Sequence, residues 1–151
     1  MAARLRILVS EADFDPGAEL AALEALPGGA VASFTGLVRE DDGLAALHLD
    51  HYPGMTQARM AGIAQDALAR WPLLGITIIH RHGRIAVGER IVFVGTASSH
   101  RTAALESCAF LIDWLKVSAP FWKQAIGRDG ARAWIEARDE DEVRARGWGE
   151  G

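Results

Sequence analysis

Cysteine is almost absent from this sequence, since Cys108 is the only one among 151 residues. A single cysteine excludes an internal disulfide, and without a CxxC pair there is neither a dithiol redox motif nor a thiolate zinc site. Long apolar runs are also missing: no stretch approaches the ~18 residues that a membrane-spanning helix requires. The N-terminus lacks the apolar segment of a secretion signal. We therefore expect a cytoplasmic protein that makes no membrane contact.

The sequence also lacks an excess of positive charge. Its 16 Lys and Arg residues stand against 20 Asp and Glu residues, which gives a formal net charge of -4. No overall field attracts nucleic acid or an acidic membrane, so an anion site must come from a local group of basic side chains. With 50% hydrophobic and 24% charged residues, the composition predicts one globular domain, residues 1–151, with a charged tail at 139–151.

Apolar periodicity predicts three main helices, near residues 16–26, 55–71 and 100–118, with strand-like runs between them. The strands neither alternate regularly with the helices nor form a separate block, and the glycine fingerprint of a dinucleotide site is absent. These observations favour an α+β fold with an antiparallel or mixed sheet. The segment after the third helix is expected to be a loop as far as Gly130, and residues 131–137 a late strand with Trp134 inward.

The third predicted helix is the element around which the candidate site is organised. Its apolar residues, from Ala104 to Leu115, recur at steps of three and four and so form one face directed at a core. Ser99 is expected as its N-cap, and Pro120 lies just beyond its end. Cys108 lies on the apolar face, where burial holds a thiol in its inert protonated form, so we interpret it as a packing residue.

Basic side chains lie at both ends of this helix. His100 and Arg101 are placed where a positive charge opposes the helix dipole, which indicates an anion site at the free amides of the helix start. Lys116 has two interpretations, because a lysine in the last turn can simply complement the carbonyl end of the helix. Lys123 follows Trp122 and a rigid proline, and partial desolvation there would lower a lysine pKa and increase its nucleophilicity.

Arg39 follows a predicted strand, where an arginine is commonly a solvated surface charge. If this strand exit shares one rim with the two ends of the third helix, the basic residues line a cationic pocket that suits a small phosphorylated substrate. His80 and His82 could face the same way on a strand, but no third ligand can be assigned by spacing. We therefore expect no metal site and no cofactor, and the pocket has no sulfur donor of its own.

Six motifs follow one another along the chain. They are Gly36-Leu37-Val38-Arg39, His51-Tyr52-Pro53-Gly54-Met55-Thr56, Arg84-Ile85-Ala86-Val87-Gly88-Glu89, Ser99-His100-Arg101, Asp113-Trp114-Leu115-Lys116 and Ala119-Pro120-Phe121-Trp122-Lys123. In this order they resemble the large, catalytic subunit of molybdopterin synthase, and the match covers nearly the whole chain.

The resemblance implies an α/β-hammerhead fold and a homodimer. Each protomer would bind a small ubiquitin-like sulfur carrier, which gives a heterotetramer. The C-terminal thiocarboxylate of the carrier would supply two sulfurs to cyclic pyranopterin monophosphate, forming the dithiolene of molybdopterin in molybdenum cofactor biosynthesis. A partner that brings the sulfur agrees with a cationic pocket that lacks a sulfur donor.

The resemblance also implies roles for single residues. Lys116 and Lys123 would be the catalytic lysines, with Lys116 nearest the C-terminal glycine of the carrier. His100 and Arg101, at the start of the third helix, would form a substrate-anion site that one protomer contributes to the pocket of the other. The implied substrate-binding residues are Phe34, Arg39, His100, Arg101 and Arg138.

The sequence departs from the family pattern at two places near these residues. Ala125 stands where many relatives carry an acidic residue two places after the second lysine. The turn Glu40–Asp42 is shorter and more acidic than usual, and its charge beside Arg39 would weaken anion binding unless it points away. Two other functions remain open: a non-catalytic module that binds a phosphate ligand or assists assembly, and a metal-dependent hydrolase.

Overall fold

The computed structural model of the protein describes residues 2–119, 121–135 and 139–149. Arg138, one of the residues implied by resemblance, lies outside them. The helices are α1 (Pro16–Glu24), α2 (Met55–Arg70), α3 (Arg101–Ser118) and α4 (Asp139–Arg146). The strands are β1 (Arg4–Ser10), β2 (Ala30–Leu37), β3 (Leu44–His51), β4 (Leu73–Arg81), β5 (Gly83–Ala86), β6 (Arg90–Ser98), β7 (Phe121–Gly127) and β8 (Arg132–Ile135). Within these residues no helix is long and apolar enough to cross a membrane.

The strands form two four-stranded sheets. The first has the order β1-β4-β6-β2 and is mixed, because β1 runs parallel to β4 while the other pairs are antiparallel. The second has the order β5-β3-β7-β8 and is antiparallel throughout. Two sheets and three longer helices confirm the predicted α+β class.

The main core lies between the first sheet and the pair of helices α2 and α3. Alternate residues of the central strands, such as Ile76, Ile78 and Val94, are buried against the predicted apolar face of α3. Helix α1 contacts the first sheet where glycine leaves room for it. A Cβ atom at Gly95 would lie only 2.5 Å from a methyl carbon of Leu23, so any side chain at this position of β6 would force the Leu23 side chain to shift.

Local signals located several elements correctly. Asp15 caps α1 by accepting a hydrogen bond of 2.9 Å from the amide of Gly17. The register of β2 shifts between Gly36 and Leu37, and a Cβ atom at Gly36 would lie 2.7 Å from a methyl carbon of Val92. This confirms the expected bulge or close backbone approach at Gly36.

Three expectations were wrong. The segment after α3 is not a loop, because residues from Phe121 to Gly127 form β7, and the turn begins only at Arg128. Trp134 does not point inward: it is 64% exposed on β8, the edge strand of the second sheet. His100, not Ser99, is the N-cap of α3, and its side chain makes no capping hydrogen bond.

The C-terminal tail packs against α3. The indole Nε1 of Trp148 donates to a carboxylate oxygen of Asp113 at 2.8 Å, and its ring makes an edge contact with Phe110. Arg70 of α2 donates to the carbonyl oxygen of Trp148 at 2.8 Å, with its guanidinium over the Phe110 ring. These contacts connect the tail to both long helices.

We predict that Leu111→Ala lowers the free energy of unfolding by about 2–5 kcal/mol, because it leaves a cavity in the main core. Leu111 is fully buried on α3. Leu105 lies on the same helix but is 60% exposed, so Leu105→Ala is the matched control and should change stability by less than about 0.5 kcal/mol. Urea denaturation of both variants measures the difference, and equal losses would contradict the assigned helix face.

Candidate active site

A cavity of about 920 Å³ lies where α3 ends and the second sheet begins. Its walls come from the exit of β2, the last turn of α3 and the strands β7 and β8. Apolar side chains form much of this lining, including Ile112 and Leu115 from α3 and the partly exposed Phe34 from β2. A concave apolar site with a few convergent polar groups is the usual form of a small-molecule pocket.

Strand β7 presents every second residue to this cavity. Phe121, Lys123, Ala125 and Gly127 all line it, as expected of residues that alternate across a sheet. The side chain of Trp122 is 51% exposed and packs edge-on against Tyr52. The strand geometry that the sequence did not reveal is therefore what aims Lys123 at the cavity.

The sequence contains two lysines, Lys116 and Lys123, and both line this cavity. Lys116 comes from the last turn of α3 and is exposed, while Lys123 is partly buried. Arg39 joins them from the segment after β2, and Arg132 adds a fourth cation from β8 that sequence reasoning missed. Lysine is thus concentrated at one site in a chain whose other permanent cations are all arginines.

Carboxylates reach the same cavity. Asp41 and Asp42 belong to the acidic turn after Arg39, and both are lining residues of the cavity. Glu40 instead pairs with Arg128 at 3.3 Å, on the exposed surface. Four cations and two carboxylates among the described lining residues leave an excess of positive charge, but less than the basic residues alone suggested.

His80 is a lining residue whose role the sequence did not indicate. Its imidazole is buried and stacks on the ring of Phe121, with 3.9 Å between the ring centroids. Burial lowers the pKa of His80 to about 4, and the nearby charge of Lys123 acts in the same direction. At neutral pH the cavity wall therefore contains an uncharged imidazole.

His100 and Arg101 are not part of this cavity in one chain. Both are exposed at the start of α3, whereas Lys116 is in its last turn. Fifteen residues of helix separate Arg101 from Lys116, which is about 22 Å at 1.5 Å per residue. The single rim predicted from the sequence is therefore not formed within one chain.

Two chemistries considered from the sequence receive no support from the described residues. Among the described residues, no group of three or more His, Cys, Asp or Glu side chains could hold a metal ion. His80 and His82 have separate partners, since the ring of His82 contacts that of His51 with a centroid distance of 4.2 Å and an interplanar angle of 39°. Cys108 is buried in the main core, and burial raises the pKa of its thiol to about 11, so this sulfur is not available for transfer.

The MoaE protein family model matches residues 9–118, well over half of the chain. The chain belongs to the MoaE family. It is similar to the molybdopterin synthase catalytic subunit of Mesorhizobium japonicum, with 49% identity over 146 residues that cover 94% of this chain and 92% of the relative. This family assignment agrees with the resemblance found in the six motifs.

Solved structures show the same fold. The molybdopterin biosynthesis MoaE protein from Burkholderia ambifaria matches with a TM-score of 0.82 and 42% identity, over 99% of this chain and 100% of that one. A chain in the complex of subunits 1 and 2 of molybdopterin-converting factor from Helicobacter pylori matches with a TM-score of 0.73, over 89% of this chain and 91% of that one. At 23% identity, the second likeness concerns the fold alone.

We predict that Cys108 resists thiol reagents in the folded MoaE chain. Burial raises the pKa of the Cys108 thiol to about 11, which reduces the thiolate fraction at pH 8 roughly 100-fold. Burial also blocks access of the reagent. Reaction with a chromogenic disulfide at pH 8 should therefore be at least ~100-fold slower in the native protein than in urea. Rapid native reaction would show that the thiol is open to solvent, against the assigned packing role.

Proposed function

We propose that this chain is the catalytic subunit of molybdopterin synthase and works with a small partner subunit in molybdenum cofactor biosynthesis. It would transfer sulfur from the C-terminal thiocarboxylate of a ubiquitin-like carrier to cyclic pyranopterin monophosphate, in the cytoplasm. The observation that supports this most directly is the convergence of both lysines and Arg39 on one cavity in a chain of the MoaE family.

The charge of the cavity suits both reactants. A thiocarboxylate and a cyclic phosphate are anions. Cations that are already in place stabilise them without reorganisation of the site during the reaction. Lys116 and Arg39 are exposed, so each can meet an incoming anion. The apolar side chains of Phe34, Ile112 and Leu115 would exclude water around these charges and strengthen the attraction.

The transfer needs a donor that this chain does not contain. In each transfer the thiocarboxylate sulfur would form a bond to a substrate carbon while a carbon–oxygen bond at the same carbon breaks and the oxygen leaves with a proton. Water would then break the acyl–sulfur bond, leaving a thiol on the substrate and a carboxylate on the carrier. Lys116 and Lys123 are the candidates for proton transfer or nucleophilic assistance in these steps. The inaccessible thiol of Cys108 agrees with a sulfur that comes from the partner.

A second chain would complete the anion site. His100 and Arg101 are exposed at the far end of α3, where they can contribute to the cavity of another protomer but not to that of their own. We therefore propose a homodimer in which these two residues are lent across the interface, with one carrier on each protomer. Phe34, Arg39 and Arg138 would bind the substrate within the same composite site.

Replacement of Lys116 tests the catalytic assignment. The purified chain, mixed with a thiocarboxylated carrier and the cyclic precursor, should form molybdopterin, and Lys116→Ala should reduce the rate by about 100-fold or more because it removes a proton-transfer or nucleophilic group. Arg59→Ala removes an exposed cation of α2 that does not line the cavity and is the matched control. Normal turnover by Lys116→Ala would reject the role, and precursor binding without any wild-type turnover would indicate a binding module instead.

Mixing two inactive variants tests the composite site. His100→Ala and Lys116→Ala should each be inactive alone, but random dimers of the two should recover about one quarter of wild-type activity. Half of such dimers are mixed, and each mixed dimer contains one intact site of two. Activity is measured first on the unselected co-expressed dimers. Purification through two different tags then retains only the mixed dimers, whose activity should be about one half of wild type. A mixed dimer without activity would place both residues in the site of the same protomer.

A further inference from the structure

The imidazole of His80 is fixed in one orientation by contacts on its face and on one edge. Its face stacks on Phe121 of β7 with an interplanar angle of 21°. Its Nδ1 atom lies 2.8 Å from the carbonyl oxygen of Arg81. Since a carbonyl oxygen can only accept, Nδ1 must donate, and in a neutral ring this leaves Nε2 as an unprotonated acceptor.

The second ring nitrogen of His80 belongs to a residue that lines the cavity. Among the described residues, every buried side-chain nitrogen or oxygen has a hydrogen-bond partner, and the described bond of His80 uses Nδ1. Nε2 is the ring nitrogen that this bond leaves as an acceptor, and His80 is a lining residue of the cavity. A neutral acceptor is thus part of a cavity lining that has an excess of positive charge.

Lys123 is the cation placed to meet this acceptor. It follows Phe121 by two residues on β7, and residues at this spacing lie on the same face of a strand about 7 Å apart. His80 covers the ring of Phe121 on that face, and the charge of Lys123 acts on the imidazole. The imidazole of His80 and the ammonium of Lys123 therefore lie on the same face of β7, which forms a wall of the cavity.

We propose that His80 is a positioning residue for Lys123: its Nε2 accepts a hydrogen bond from the lysine nitrogen and holds it toward the cavity. This rests on the proposed function, because it assigns a partner to one of the two candidate catalytic lysines. A neutral acceptor directs the amine without adding the negative charge of a carboxylate, so the site keeps its affinity for anions. The charged and titratable groups around the pair are Arg39, Asp41, Asp42, Lys116, Arg132 and His82.

Two substitutions separate positioning from packing. His80→Phe keeps an aromatic ring to stack on Phe121 but removes the acceptor. His80→Gln loses the ring but places an amide oxygen near the position of Nε2. If His80 positions Lys123, the Phe variant should lose about 10- to 100-fold in kcat, the range expected for a hydrogen bond to a charged group, with little change in KM. The Gln variant should recover part of this loss.

A role in packing alone predicts the opposite order, with the Phe variant nearly normal and the Gln variant impaired. That order would overturn the proposal. Thermal unfolding of both variants, measured beside the wild type, shows how much each substitution disturbs the fold.

Chemical labelling of the lysines is a second measurement, and it does not depend on enzyme activity. Because the chain has two lysines, acetylation by an amine-reactive ester followed by mass spectrometry resolves Lys116 and Lys123 individually. Loss of an acceptor favours the neutral amine, so in His80→Phe the pH of half-maximal labelling at Lys123 should fall by about one unit, as expected for about 1.4 kcal/mol. Lys116 should be unchanged.

Unchanged labelling of Lys123 in His80→Phe would overturn the proposal. Absence of turnover in the wild-type reconstitution would instead reject the proposed function, while the labelling experiment would still decide whether His80 contacts Lys123.

Discussion

The packing of α3 on the first sheet determines where the charged residues of this protein lie. Its apolar face is buried from Ala104 to Leu115, and Thr96 of β6 donates a hydrogen bond of 2.7 Å to the carbonyl oxygen of Ala104. These contacts fix the rotation and the position of the helix along the sheet. Lys116 is therefore held at the cavity, and the start of the helix is held away from it.

Because the connection from α3 to β7 is short, the position of α3 also determines where β7 begins in the second sheet. Phe121 begins β7 two residues after Ala119, the C-cap of the helix. Its ring stacks on His80 of the first sheet, so one aromatic contact links the two sheets where they form the cavity wall. Alternation along β7 then places Lys123 on the same side. Helix packing, an aromatic stack and strand periodicity together set the relation between the two lysines.

Features that depend on near neighbours in sequence could be predicted. The Asp15 cap, the apolar face of α3 and the irregularity at Gly36 all follow from local chemistry. Strand β7 could not be predicted in this way, because its partners β3 and β8 provide hydrogen bonds that the local sequence does not show. Trp134 was misassigned because period-two alternation does not reveal that an edge strand is left uncovered, and all four residues of β8 are exposed. The neutral state of His80 depends on burial, which has no local sequence signal.

The placement of His100 and Arg101 follows from the length of α3. Sequence reasoning grouped them with Lys116 because they lie on one helix, but a straight helix of 18 residues separates its two ends by more than the width of a small ligand. A site that uses both ends must therefore draw them from two copies of the helix. In the proposed symmetric pair of chains, each cavity would receive the helix start of its partner, so the length that separates the ends within one chain is compatible with their meeting across a two-fold axis.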